Sequence, residues 1–359
     1  MKILILTGRF GMGHVSAAKA LQQEFEKDPY AETKVIDIVE HMLPNMHKRI
    51  YKSFDKIAEK YPTIYNRAYQ TSESNFDLSF SRFFLKKFYR LLKEEEPDLI
   101  VSTLHLATKL TSNYKKKKNI DIPLVTCITD ISSSEEWLTE QTDLYLVATE
   151  DVKAELIKKH IAKENIIVSG IPVRQEFKQG NNNIDDKDEN NLLIMGGGLG
   201  LLPKSMDFYK RLDKLPNTKT TIIAGNNKDI FDKLFNLFHN IEVIGYSNEV
   251  HKHMQKADAM FSKAGGITLF ETIHAELPII VPRPFLAQEV NNAKYIEENS
   301  LGKVVWDDEE DLVSAIEDMF ANKAERKKIK QNMKHIKESI IDSPLNYITG
   351  FMKVKEVAL

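Results

Sequence analysis

The chain of 359 residues has one cysteine, two tryptophans and a formal net charge of only -2. A lone cysteine excludes a disulfide framework and a cysteine-ligated metal site. Cys127 stands in the apolar run LVTCI and reads as a small core hydrophobe. A near-neutral balance argues against bulk nucleic-acid binding. No apolar run approaches the ~18 residues of a membrane span. The opening MKILILTG is too short for a signal sequence and leads straight into a Gly-rich turn, so a first strand of a mature cytoplasmic protein is expected. No Asp-x-Asp pair stands in a loop suited to a cleft, since Asp185-Asp186-Lys187-Asp188 lies in a polar connector. No metal ion or other cofactor is therefore expected.

What is present is a regular alternation of short apolar runs with helical patterns. Strands are expected at Lys2–Leu6, Thr33–Ile36, Leu99–Ser102, Leu124–Ile128, Leu144–Val147 and Ile166–Ser169. A second set falls at Leu192–Met195, Thr220–Ala224, Glu242–Ile244, Ala259–Phe261, Ile279–Val281 and Val304–Val305. Continuously apolar strands are buried on both faces, as in parallel sheets covered by helices. The pattern occurs twice, so the expected α/β architecture is two doubly wound, Rossmann-like domains facing across a cleft. Residues 1–177 form the first domain and 192–335 the second. The polar stretch 178–191 links them, and 336–359 form a helix that crosses back to the first domain.

The densest cluster of chemistry-bearing residues is SKAGGITLFETIHAELPIIVPRPFLAQEVNNA, starting at Ser262. Gly265 and Gly266 allow close backbone approach to a ligand. Ile267 and Thr268 start a helix whose free N–H groups suit a phosphate. Glu271, one turn on, reaches a hydroxyl pair. Gln288 and Glu289 follow the next strand and can meet a second polyol, and Asn292 stands close behind them. A phosphate flanked by two sugars describes a nucleotide-diphosphate sugar. An ordinary strand-to-helix loop is the plain alternative for a Gly-Gly pair alone. At the other end of the chain, TGRFGMGHVSAAKAL carries Gly8, Gly11 and Gly13 and then His14 at a helix start. A helix N-terminus disfavours a protonated imidazole, so His14 suits a general base. The alternative is a histidine that caps or packs there. Asp130 either orients His14 or an acceptor, or caps a loop.

Taken with EEPDLIVST, ITDISSSEEW, VSGIPVRQEF, LLIMGGGLG and VIGYSNEVHKHMQKADAMFSKAGGITLFE, these segments resemble the GT-B glycosyltransferases of family 28 over almost the whole chain. The order and spacing are nearer the monogalactosyldiacylglycerol synthase and processive diacylglycerol glucosyltransferase branch than the peptidoglycan branch. The resemblance implies a UDP-sugar donor, a lipid acceptor and inverting hexosyl transfer. It implies that His14 is the base near the acceptor and that Arg174 reaches the nucleobase. Ser247 and Val250 hold uracil through backbone groups, and Gly266, Ile267 and Thr268 hold the diphosphate. Glu271 takes the ribose, while Gln288 and Glu289 take the donor sugar. Gly197 and Gly198, in the GGGLG turn, suit close diphosphate approach. The chain departs at Ser134, where a histidine is common, and at Leu286-Ala287, where Pro-Gly is common. Other acceptors, a UDP-N-acetylglucosamine 2-epimerase and a non-catalytic UDP-sugar sensor are the rival functions.

A lipid acceptor brings an anionic membrane surface into play. Lys and Arg outnumber Asp and Glu across Asn45–Lys93, with many aromatics interleaved. The run SFSRFFLKKFYRLLK places Arg82, Phe83, Phe84, Lys86, Lys87, Phe88 and Arg90 at helical spacing for a surface-lying helix. Packing of its apolar face on the first sheet is the plain alternative. A cytoplasmic enzyme held peripherally at the inner membrane face is the expected location.

Overall fold

The computed structural model describes residues 1–61, 63, 66, 82–179, 189–197, 200–307, 311–341 and 343–357. They form two compact units, Met1–Arg174 with Ile340–Leu359, and Gln175–Ser339. The first holds β1 (Lys2–Thr7), β2 (Glu32–Asp37), β3 (Leu99–Ser102), β4 (Leu124–Cys127), β5 (Leu144–Val147) and β6 (Ile166–Val168), in the sheet order β2-β1-β3-β4-β5-β6. The second holds β7 (Asn190–Met195), β8 (Thr218–Ile223), β9 (Ile241–Ile244), β10 (Ala259–Ser262), β11 (Ile279–Val281) and β12 (Gly302–Val304), ordered β12-β11-β10-β7-β8-β9. Every pairing is parallel. All the expected strands are present, with ends shifted by a residue or two.

The first sheet shows why continuously apolar strands were needed. Successive side chains point to opposite faces. Leu4 and Leu6 of β1, Ile100 of β3 and Leu124 of β4 enter one core. Ile3 and Ile5, Leu99 and Val101, and Val125 and Cys127 enter the other. On the first face lies the helix Arg82–Glu95, which contributes Phe84, Leu85, Phe88, Leu91 and Leu92, the stripe of a helix seen every three or four residues. On the second face Ala18, Leu21 and Phe25 of the helix Gly13–Phe25 are joined by Ile348 of the C-terminal helix Leu345–Val357. That segment is tied in by the Ile341 N–H donating to the Val168 carbonyl and by the Ser343 hydroxyl on the buried Glu24. The preceding helix, Lys323–Ser339, belongs to the second unit, where buried Arg326 donates to the Met319 carbonyl. Residues 180–188 of the expected linker lie outside the described ones.

Chain order reverses between β1 and β3 in one sheet and between β7 and β10 in the other. At such a reversal, loops leave the strand ends in opposite directions and open a crevice at the carboxyl edge. The residues that follow β1 and β3, and those that follow β7 and β10, therefore occupy the ligand-binding position of each unit.

Candidate functional site

His14 follows β1, in the first turn of the helix Gly13–Phe25, and Thr103 follows β3. The His14 Nδ1 lies 2.8 Å from the Thr103 backbone oxygen and 2.9 Å from Thr129 Oγ1. A carbonyl oxygen only accepts, so Nδ1 carries the proton and Nε2 keeps its lone pair. The Thr103 hydroxyl donates to the His14 carbonyl oxygen at 3.0 Å, clamping the two loops together. Burial holds the His14 pKa below its ordinary 6.5, with Asp130 and the Thr103 carbonyl opposing. Asp130 was open to orienting this imidazole, orienting an acceptor or capping a loop. Thr103 and Thr129 make the contacts to the ring, and Asp130 acts on it through charge. Burial pushes the Asp130 carboxyl up, while His14 and a hydrogen bond from Trp137 pull it down. The two threonines were missed because a β-branched residue at a strand end reads as core; the visible signal was a Thr just past two adjacent strands.

Trp137, 2% exposed, closes this end of the sheet from the short 3-10 turn Glu135–Trp137. The His14 ring lies 6.1 Å from it. His105, first residue of the helix His105–Lys118, meets the same indole edge-on at 5.9 Å. Ser134, the departure noted in the sequence, precedes that turn as its N-cap.

In the second unit, β7 runs into the GGGLG loop and β10 into Lys263, Ala264 and Gly265. A Cβ on Gly196 would sit 2.4 Å from the Gly200 backbone carbon. Gly197 has φ +65°, and a Cβ there would press on Lys263 Cε at 2.9 Å. These two positions demand glycine. Gly198 lies outside the described residues. Gly265 corrects the expected tight Gly-Gly turn: its φ of -77° and ψ of 137° are ordinary extended values. A Cβ on it would meet only Thr268, at the ordinary distance of 3.6 Å. It caps the helix Gly266–Ala275 without a side chain, so Gly266, Ile267 and Thr268 present first-turn N–H groups that no cap covers. Thr268 and Glu271 are buried on that helix.

Gln288 and Glu289 open the helix Ala287–Glu298. Glu289, expected on a sugar, is 2% exposed and bound to Lys263 Nζ at 2.7 Å. Lys263 was not singled out in the sequence, because a lysine beside glycines reads as solvated. Asn292 braces the loop by donating to the Ala264 carbonyl at 2.8 Å. Ser247 accepts from the Glu249 N–H at 3.0 Å, just past β9 and before Val250 starts the helix Val250–Lys256. Arg174 ends the N-terminal segment of the first unit. Among the described residues no group of three or more His, Cys, Asp or Glu is placed to hold a metal ion.

The membrane assignment requires correction. Phe88 is fully buried and Phe84 is 8% exposed, both in the sheet core, so neither can meet a bilayer. Full burial of a phenylalanine stabilises the fold by roughly 1.5–3 kcal/mol, which would be lost if the ring left the core. Lys87 donates to the Met42 carbonyl at 2.9 Å, and only Lys86 and Arg90 of the described side chains in that set are exposed. The side chains of Arg82 and Phe83 lie outside the described ones. The helix His47–Lys60 instead turns Lys48, Arg49, Lys52 and Lys56 outward, with Met46 and Tyr61 at its ends and Ile57 all exposed. Lys115, in the run of four lysines that ends the helix His105–Lys118, is buried against Asp143. No described helix is long and apolar enough to cross a membrane.

Comparison with known proteins agrees with this layout. The family model for monogalactosyldiacylglycerol (MGDG) synthase matches residues 14–173, and that for the glycosyltransferase family 28 C-terminal domain matches 192–343. A processive diacylglycerol beta-glucosyltransferase of Staphylococcus epidermidis is 27% identical over 97% of this chain and 90% of its own. One from Bacillus mycoides is 28% identical over 93% and 89%. Among solved structures, Acinetobacter baumannii MurG gives a TM-score of 0.64 at 13% identity, covering 98% of both chains. A UDP-GlcNAc 2-epimerase from Neisseria meningitidis gives 0.57 at 17%, covering 94% of this chain and 99% of that one. Such distant structural likeness establishes the fold alone. With family models matching both units, the chain belongs to the GT-B glycosyltransferases of family 28, its first unit of the monogalactosyldiacylglycerol synthase type.

Proposed function

We propose that this enzyme transfers a hexose, glucose or galactose, from a UDP-sugar to the hydroxyl of diacylglycerol or of a glycosyl-diacylglycerol, with inversion at the anomeric carbon. The observation that carries the chemistry is the 2.8 Å contact from His14 Nδ1 to the Thr103 carbonyl. It leaves Nε2 as a neutral acceptor at the β1/β3 reversal, the state a general base requires. In the reaction the acceptor oxygen bonds to the anomeric carbon as the bond to the UDP β-phosphate oxygen breaks. The acceptor proton passes to His14 Nε2, and the negative charge of Asp130 favours the imidazolium so formed.

The leaving diphosphate carries the electron pair of the broken bond. The first-turn N–H groups of Gly266–Ala275 meet developing anionic charge there. Lys263, one residue past β10, adds an ammonium. These charges replace a divalent ion in this reading, so no essential metal or other cofactor is assigned. Glu271 serves the ribose, Gln288 the donor sugar, and Arg174, Ser247 and Val250 the uracil end, as the family resemblance implies.

The acceptor class rests on the near full-length relationship to diacylglycerol glucosyltransferases. Such a substrate resides in a bilayer, and the exposed basic face of His47–Lys60 suits an anionic membrane at the cytoplasmic side. The test is mass spectrometry of lipids after incubation with diacylglycerol vesicles and a panel of UDP-sugars. A glycosylated diacylglycerol with UDP released is expected. Release of free or epimerised sugar with the lipid unchanged would favour the epimerase reading and end this one.

A further inference from the structure

Beside His14 stands a set of polar side chains that proton abstraction does not use. His105 begins the helix His105–Lys118, directly after β3. Its Nε2 lies 3.8 Å from Glu136 Oε2, an ion-pair spacing too long for a hydrogen bond. Lys109, one turn along the same helix, acts electrostatically on both His105 and Glu136. Trp137, next to Glu136, locks the His105 ring edge-on and also borders His14. The His105 side chain remains 39% exposed and Glu136 14%, so a ligand can reach them.

A bare diacylglycerol has nothing to offer the Glu136 carboxylate once the base has taken its hydroxyl. It offers one hydroxyl, which the base takes, and ester oxygens that only accept hydrogen bonds. A carboxylate needs donors. A hexose supplies several adjacent hydroxyls, each both donor and acceptor, and one of them bridging His105 and Glu136 would satisfy both. We propose that His105, Lys109 and Glu136 form a shelf for a sugar already carried by the lipid acceptor, so that the first unit distinguishes a glycosyl-diacylglycerol from diacylglycerol itself. The proposal rests on the acceptor class proposed above.

The experiment compares kcat/KM for two acceptors, diacylglycerol and monoglucosyl-diacylglycerol, each in phosphatidylglycerol vesicles with the active UDP-sugar. Wild type, His105→Ala, His105→Gln and Glu136→Gln are measured. Loss of hydrogen bonds to one sugar predicts about a tenfold fall with the glucosylated acceptor and about a twofold change or less with diacylglycerol. His105→Gln, which keeps a hydrogen-bonding end, recovers part of the loss. Single-sugar product accumulates over longer glycolipids in the alanine variant. Equal losses with both acceptors, or no loss with either, overturn the shelf. Should His105→Ala fail to fold, Glu136→Gln, near-isosteric, decides the matter by the same ratio. A wild-type enzyme inactive on both lipids refutes the acceptor class itself, an outcome distinct from an unchanged ratio in the variants.

Discussion

Replacing His14 separates chemistry from binding and from folding. The informative change is His14→Asn. Its amide N–H takes the place of Nδ1–H, so the 2.8 Å bond to the Thr103 carbonyl can persist while the accepting Nε2 disappears. A positioned base contributes roughly 10²–10⁴ in rate, or about 3–5 kcal/mol of transition-state stabilisation. His14→Asn and His14→Ala should both lose turnover by that factor. UDP affinity, measured by calorimetric titration, should stay within about twofold, since uniform binding is separate from the step removed. The pH profile of the wild type supplies a second readout. Burial depresses the His14 pKa below 6.5, so the neutral base persists as pH falls past 6.5 and kcat/KM drops only at the lower, folded value. The same sign holds for stability. Between the two values the unfolded chain binds more protons, so the contribution of this group is complete above 6.5 and is lost as pH falls through the folded value. An asparagine variant with wild-type turnover, or an acid limb lying above 6.5, refutes the assignment of His14 as base.

Lys263→Met keeps the stem beside Gly197 but strands the buried Glu289 carboxylate. Breaking a buried pair costs about 3–5 kcal/mol, so the second unit should melt several degrees lower in calorimetry. Adding Glu289→Met should restore melting but not turnover, and an unchanged Tm for the single variant counts against a structural pair. Gly196→Ala must displace the Gly200 backbone. UDP titration should show at least about a tenfold loss of affinity, because uncompensated backbone displacement costs roughly 1–3 kcal/mol. Reversing Lys48, Arg49, Lys52 and Lys56 to Glu should abolish sedimentation with anionic vesicles, each basic residue near such a surface being worth about 1 kcal/mol. Turnover of detergent-dispersed acceptor should survive that change. Phe88→Ser, by contrast, should unfold the first unit by emptying its core.

Strand positions were legible because continuous burial on both faces forces runs such as ILIL and LIV to be apolar throughout. The glycine loop after β7 was legible in outline, since Gly197 must adopt a positive φ that few other residues tolerate. The run FFLKKFYRLL was ambiguous for a physical reason. A helix that packs on a sheet and a helix that lies on a membrane show the same apolar stripe, and only Phe84 and Phe88 inside the core distinguish them. Lys263 was illegible because its partner, Glu289, stands on a helix 26 residues on. Nothing local in the sequence announces that meeting.

The order of apolar runs, glycines and helix starts by itself determined two doubly wound sheets, a helix opening at Gly266 and a histidine at the first helix start. These follow from short-range rules of backbone freedom, burial and side-chain period. Which imidazole nitrogen holds the proton, which carboxylate meets the lysine, and which helix is core and which faces solvent were decided by tertiary structure. Each depends on residues far apart in the chain, such as His14 with Thr103, and hydrogen bonds and buried charges are set by distance in space, to which sequence separation is indifferent.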